Sequence, residues 1–109
     1  MGKFDLLLGS TVFVGIMTTL TVTPANAVIM LEERCVREVR ECDKTIGATV
    51  DVLSKGKKIS GRTACVPKQG VSQKQLREVV LTWLKAHPKE KGGDSVLVAR
   101  ALSEKFPCQ

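Results

Sequence analysis

Four cysteines, Cys35, Cys42, Cys65 and Cys108, and a single histidine, His87, are the residues of this chain best suited to chemistry. A zinc centre would draw on C-x-x-C pairs or clustered histidines. Here the cysteines are separated by 6, 22 and 42 residues and there is one histidine, so no metal site is expected. A thiolate nucleophile would need His87 as its base, and Cys65 with His87 is the one attractive combination. The stronger reading has Cys65 in a disulfide and His87 in the last turn of a helix, where a charged imidazole is favourable. Carboxylates are sparse and interleaved with Lys and Arg, which does not suggest an acid/base pair. Gly92-Gly93-Asp94 reads as a turn and a cap rather than a phosphate loop. The expectation is a protein that is not an enzyme, with no catalytic residues, cofactor or metal.

Binding chemistry is better supplied. The formal charge is +6, and Lys55, Lys57, Lys58 and Arg62 fall together in a segment, 54–69, with no helical period. Such a cluster suits an acidic partner. Nucleic acid is disfavoured, because aromatics make up 4% of the chain, with one Trp, three Phe and no Tyr, and base stacking needs them.

The compartment follows from the N-terminus. Lys3 precedes an almost uncharged run from Leu6 to Val22, then Pro24 and Ala25-Asn26-Ala27. A positive start, an apolar run and an A-x-A end describe a secretory signal peptide over residues 1–27, cleaved after Ala27. The run is at the short limit for a membrane span and is diluted by Ser, Thr and Gly, so no membrane association is expected after cleavage. Lys3 and Asp5 cancel, so the exported part, residues 28–109, keeps the +6 and all the cysteines. It is one small domain in an oxidising compartment, the periplasm, where four cysteines read as two disulfides.

The elements that hold these residues read as helices. Leu31, Cys35, Val39, Cys42, Ile46, Val50 and Leu53 recur in steps of three and four, one stripe of an amphipathic helix. Gly47 lies inside the stripe and could mark a bend, so one helix or two short ones remain open. Ser72 with Gln75 forms a capping box, and Val71 with Leu76 a hydrophobic staple. Leu76, Val79, Val80, Trp83 and Leu84 follow, and Pro88 ends that helix. Trp83, although an interface anchor by type, lies on the apolar stripe and is expected in the core. Asp94 is placed to cap a last helix carrying Val98, Ala101 and Leu102. The fold class is all-α, a small disulfide-stapled bundle of three or four helices.

Disulfide pairing depends on that stripe. In a continuous helix the Cα atoms of Cys35 and Cys42 would lie about 10.5 Å apart, beyond the roughly 7 Å limit for a bridge. Cys42–Cys65 with Cys35–Cys108 is then favoured, with Cys35–Cys65 and Cys42–Cys108 as the crossed alternative.

Ala64-Cys65-Val66-Pro67, Gly70-Val71-Ser72, Gln75-Leu76, Val79-Val80, Trp83-Leu84, His87-Pro88, Ala101-Leu102 and Phe106-Pro107-Cys108 form a long string of landmarks. In these the chain resembles the Rap/Tai family of type VI secretion immunity proteins, over about Cys35 to Cys108. Cys35 and Cys42 fit that family's N-terminal cysteines and Asp51 an acidic position after them, whereas Thr45 and Ala48 replace a common aromatic and glycine. The resemblance implies a small, exported helical protein without catalysis, whose partner is a cell-wall amidase effector and whose projecting loop occludes the toxin's cleft. Lys55, Lys57, Lys58 and Arg62 are the expected contact residues on exposure and charge, not on the matched landmarks. A homodimer is the other association considered. The alternative functions are a small periplasmic stress chaperone, or an envelope-associated domain that holds acidic polymers through its charge.

Overall fold

The computed structural model describes residues 26–108. The signal segment assigned to 1–27 falls outside the described residues except for Asn26 and Ala27. Four helices follow: α1 (Asn26–Arg37), α2 (Val39–Ser54), α3 (Gln73–Ala86) and α4 (Asp94–Lys105). No strand is present among the described residues, and the fold is all-α and stapled by two disulfides.

The core is one cluster to which every helix contributes. Val28 and Leu31 come from α1, Ile46 and Leu53 from α2, Val80 and Leu84 from α3, and Leu97, Val98 and Leu102 from α4. Burial of each such side chain stabilises by about 1.5–3 kcal/mol. Trp83 is buried with them, as its place on the stripe predicts.

The stripe from Leu31 to Leu53 is split between two helices. Glu38 leaves the helical region at φ −119°, ψ 63°. Two bonds still bracket it: the Glu38 N–H donates to the Arg34 carbonyl at 2.7 Å, and the Cys42 N–H to the Glu38 carbonyl at 3.0 Å. The break is therefore confined to one residue. It reorients the chain so that the Cα atoms of Cys35 and Cys42 are 4.8 Å apart, and these two residues are bonded. Cys65 pairs with Cys108. Both pairings proposed from sequence are overturned, because their shared premise, an unbroken helix between Cys35 and Cys42, fails at Glu38.

Gly47 is not the bend. It lies within α2, and a Cβ built there would meet nothing within 4 Å. Glycine inside a helix costs about 0.5–1 kcal/mol relative to alanine. Gly47→Ala should therefore stabilise the protein by about that amount, read as a higher thermal midpoint; a lower midpoint would show that the site needs glycine.

α3 begins on the expected capping box. The Gln75 N–H donates to Ser72 Oγ at 3.1 Å and the Ser72 N–H to Gln75 Oε1 at 2.7 Å. Its C-cap is His87, at φ −131°, just before Pro88. The cap assigned to Asp94 is displaced by one residue. Gly93 is the N-cap of α4 and Asp94 its first helical residue. The Asp94 carboxylate instead takes a hydrogen-bonded ion pair with Arg34 of α1. A guanidinium across the bundle offers it a charge-assisted bond, and a negative charge in the first turn still complements the helix dipole.

A second inter-helix pair joins α2 and α3. Arg77 donates to both carboxylate oxygens of Asp43, at 2.9 and 3.1 Å. Those bonds hold the Asp43 carboxyl below its ordinary range, against the opposing effect of burial. A depressed folded-state pKa means the contribution is present above the unfolded aspartate value, about 3.9, and is lost as pH falls through the lower folded value. Asp43→Asn should thus be less stable than the parent at neutral pH. The gap between their urea midpoints should close on titration to about pH 2. A gap that persists there would remove this pair from the acid response.

Candidate partner-binding site

The basic segment between α2 and α3 is built around a tight surface hairpin. α2 ends at Ser54, and Gly56 turns the chain at φ 78°. Ile59 and Arg62 then exchange both backbone N–H···O bonds, each 3.0 Å. Between them Ser60 and Gly61 take φ 52° and 79°. Two consecutive left-handed residues inside a two-residue loop make a type I′ turn. Ser60 accepts a conformation that costs a side-chain-bearing residue roughly 1–2 kcal/mol, so the surrounding contacts impose the turn.

Those contacts are identifiable. Ile59 is half-buried and packs on the core. Farther along, the Cys65 N–H donates to the Phe106 carbonyl at 2.8 Å, and the Cys65–Cys108 bridge ties the segment to the end of α4. The hairpin is thus braced from both the core and the C-terminal tail.

Lys55, Lys57, Lys58 and Arg62 are all exposed. Lys55 reaches back to Asp51 at 3.2 Å, an i,i+4 pair on α2. Lys57, Lys58 and Arg62 make no ion pair among the described residues. Sequence reasoning named the cations; the turn that gathers them on one surface hairpin it did not name, although Ser60-Gly61 between two chain reversals was a usable signal. A backbone already fixed in its turn loses less entropy on docking, which favours a tight protein contact.

The catalytic combination considered from sequence is dispersed. Cys65 is bonded to Cys108. His87 stacks on Trp83, with ring centroids 4.3 Å apart, and its Nδ1 lies 2.8 Å from the Trp83 carbonyl. That carbonyl can only accept, so Nδ1 carries the proton. Among the described residues no group of three or more His, Cys, Asp or Glu could hold a metal ion.

The family model for Rap1a immunity proteins matches residues 29–108, nearly the whole described domain. The chain belongs to the Rap1a immunity protein family. No curated protein and no solved structure matches it. Membership carries a coarse function: immunity proteins bind a protein toxin, are generally not enzymes, and in the Rap1a family are typically periplasmic. The matched span contains both disulfides, the basic hairpin and every helix, α1 without its first three residues.

Proposed function

We propose that this chain is exported through its N-terminal signal, cleaved after Ala27, and protects the periplasm against a peptidoglycan amidase delivered by type VI secretion. It performs no catalysis. It binds the toxin and lays the Lys57–Arg62 hairpin against an acidic rim of the active-site cleft, excluding substrate. The observation that carries this reading is the braced type I′ turn with three exposed cations that lack carboxylate partners among the described residues. Such groups keep their charge available for an acidic protein surface and speed encounter with it.

The experiment is affinity capture from the exported proteins of the producing cell, in about 0.3 M salt, where screening acts within several Å. Retention of a cell-wall amidase whose activity is lost in the complex supports the proposal. Lys57→Glu, Lys58→Glu and Arg62→Glu together should then weaken binding by about a hundredfold or more, close to 2.7 kcal/mol, while leaving the urea midpoint unchanged. Sedimentation of the free chain and of the complex gives stoichiometry and tests for a homodimer. That association is suggested by Ile29, Met30, Val36 and Val39, large apolar residues left exposed on α1 and at the start of α2. Retention of many unrelated acidic polymers, fading with salt, would instead support the envelope-associated reading.

A further inference from the structure

A groove of about 700 Å³ lies between α3 and the end of α4, and shares no residue with the hairpin. Val79, Trp83 and Ala86 line it from α3, and Ala101 and Phe106 from the other side. Its lining runs along α3 from Gln75 to Ala86, about 16 Å at 1.5 Å per residue. That elongated form matches roughly three turns of a helix better than a compact small molecule.

Charge narrows the occupant. The chain as a whole is basic, yet this groove is lined by two carboxylates, Glu78 and Glu104, against one ammonium, Lys105. Glu78 and Glu104 are exposed and form no ion pair among the described residues. A separate observation marks the same place. Trp83 is 8% exposed, and its indole N–H is buried without a hydrogen-bond partner among the described residues. The N–H itself is too enclosed for an occupant to reach; the indole contributes its ring to the groove wall, stacked on His87.

We infer that this groove docks a cationic amphipathic helix of a protein partner. The helix sets its apolar face along Val79, Ala86 and Phe106 and directs Lys or Arg to Glu78 and Glu104. The inference does not rest on the inhibitor reading, since the two surfaces are distinct and of opposite charge.

The test uses the processed chain purified from the periplasm and two 14-residue peptides, acetylated and amidated. Each carries Leu on one helical face, with Lys on the other in the first peptide and Glu in the second. Trp83 is the sole tryptophan, so its emission reports the groove directly. The Lys peptide should shift that emission and bind at ~10 μM, a modest affinity of about 7 kcal/mol. Glu78→Gln with Glu104→Gln should weaken it about tenfold, and Ala86→Phe, which fills the groove from an exposed position without adding a second indole, should abolish it. Lys57→Gln with Lys58→Gln should leave it unchanged. Equal emission changes with both peptides, no change with the Lys peptide, or indifference to the Glu78/Glu104 and Ala86 substitutions would each overturn the inference. Binding of the Glu peptide that is lost with the lysine substitutions and leaves Trp83 silent assigns that peptide to the hairpin and counts for separate surfaces.

Discussion

Replacing Cys65 and Cys108 together by serine should lower the unfolding free energy by about 4 kcal/mol. Replacing Cys35 and Cys42 should lower it by only about 2.4 kcal/mol through chain entropy. The difference follows from the loops they close, with sequence separations of 43 and 7. For a domain of this size total stability is on the order of 5–10 kcal/mol, so the long-loop bridge supplies a large part of it. The two bridges differ in access as well. Cys65 and Cys108 are exposed, whereas Cys35 and Cys42 are 1% and 0% exposed. Thiol–disulfide exchange needs a thiolate to reach sulfur, so graded dithiothreitol followed by alkylation and mass spectrometry should open Cys65–Cys108 first. Urea unfolding of the two double mutants checks the energies. Equal midpoints, after allowance for packing lost at the buried pair, would place the stapling outside the loop-closure account. The exposed bridge also braces the segment that carries the hairpin proposed to contact the toxin.

Leu84→Ala is expected to cost about 3 kcal/mol, within the 2–5 kcal/mol range for truncating a buried leucine. Leu84 is 0% exposed, on the helix that packs against α1, α2 and α4. Neighbouring helices tied by the Cys35–Cys42 disulfide and two inter-helix ion pairs cannot collapse fully into the space left, which keeps the cavity contribution large. Lys85→Ala is the matched control: exposed on the same helix, it should stay within about 0.5 kcal/mol of the parent. Urea midpoints at constant slope measure both. A cost below about 1 kcal/mol for Leu84 would mean that the bundle repacks freely, contrary to the ties just described.

Binding follows a similar division between residue type and placement. Lys57, Lys58 and Arg62 were recognisable as a basic segment because charge is a property of the residues themselves. Glu78 and Glu104 were not recognisable as neighbours of an apolar groove. They sit 26 positions apart, on separate helices, and only the packing of α3 beside α4 brings them to one cavity. The apolar residues Ile29, Met30 and Val36 on the outer side of α1 were likewise invisible as a surface. In sequence an apolar residue near a stripe reads as core until a neighbouring helix is found to pack elsewhere.

By itself the sequence determined whatever depends on local chemistry and short-range periodicity. The all-α class came from the three- and four-residue steps, the start of α3 from Ser72 and Gln75, its end from Pro88, and the family from residues strung between Ala64 and Cys108. Each is settled by atoms within a few residues of one another, or by residue identity alone. Tertiary structure decided the break at Glu38, the cysteine pairing, the Arg34–Asp94 bond that displaced the cap, and the groove beside Trp83. The stripe from Leu31 to Leu53 fits one helix or two that bury most of its positions, Val39 alone being left exposed at the junction, so periodicity could not separate them. The choice falls to the packing of α1 and α2 into one core, and the 4.8 Å approach of Cys35 to Cys42 follows from it.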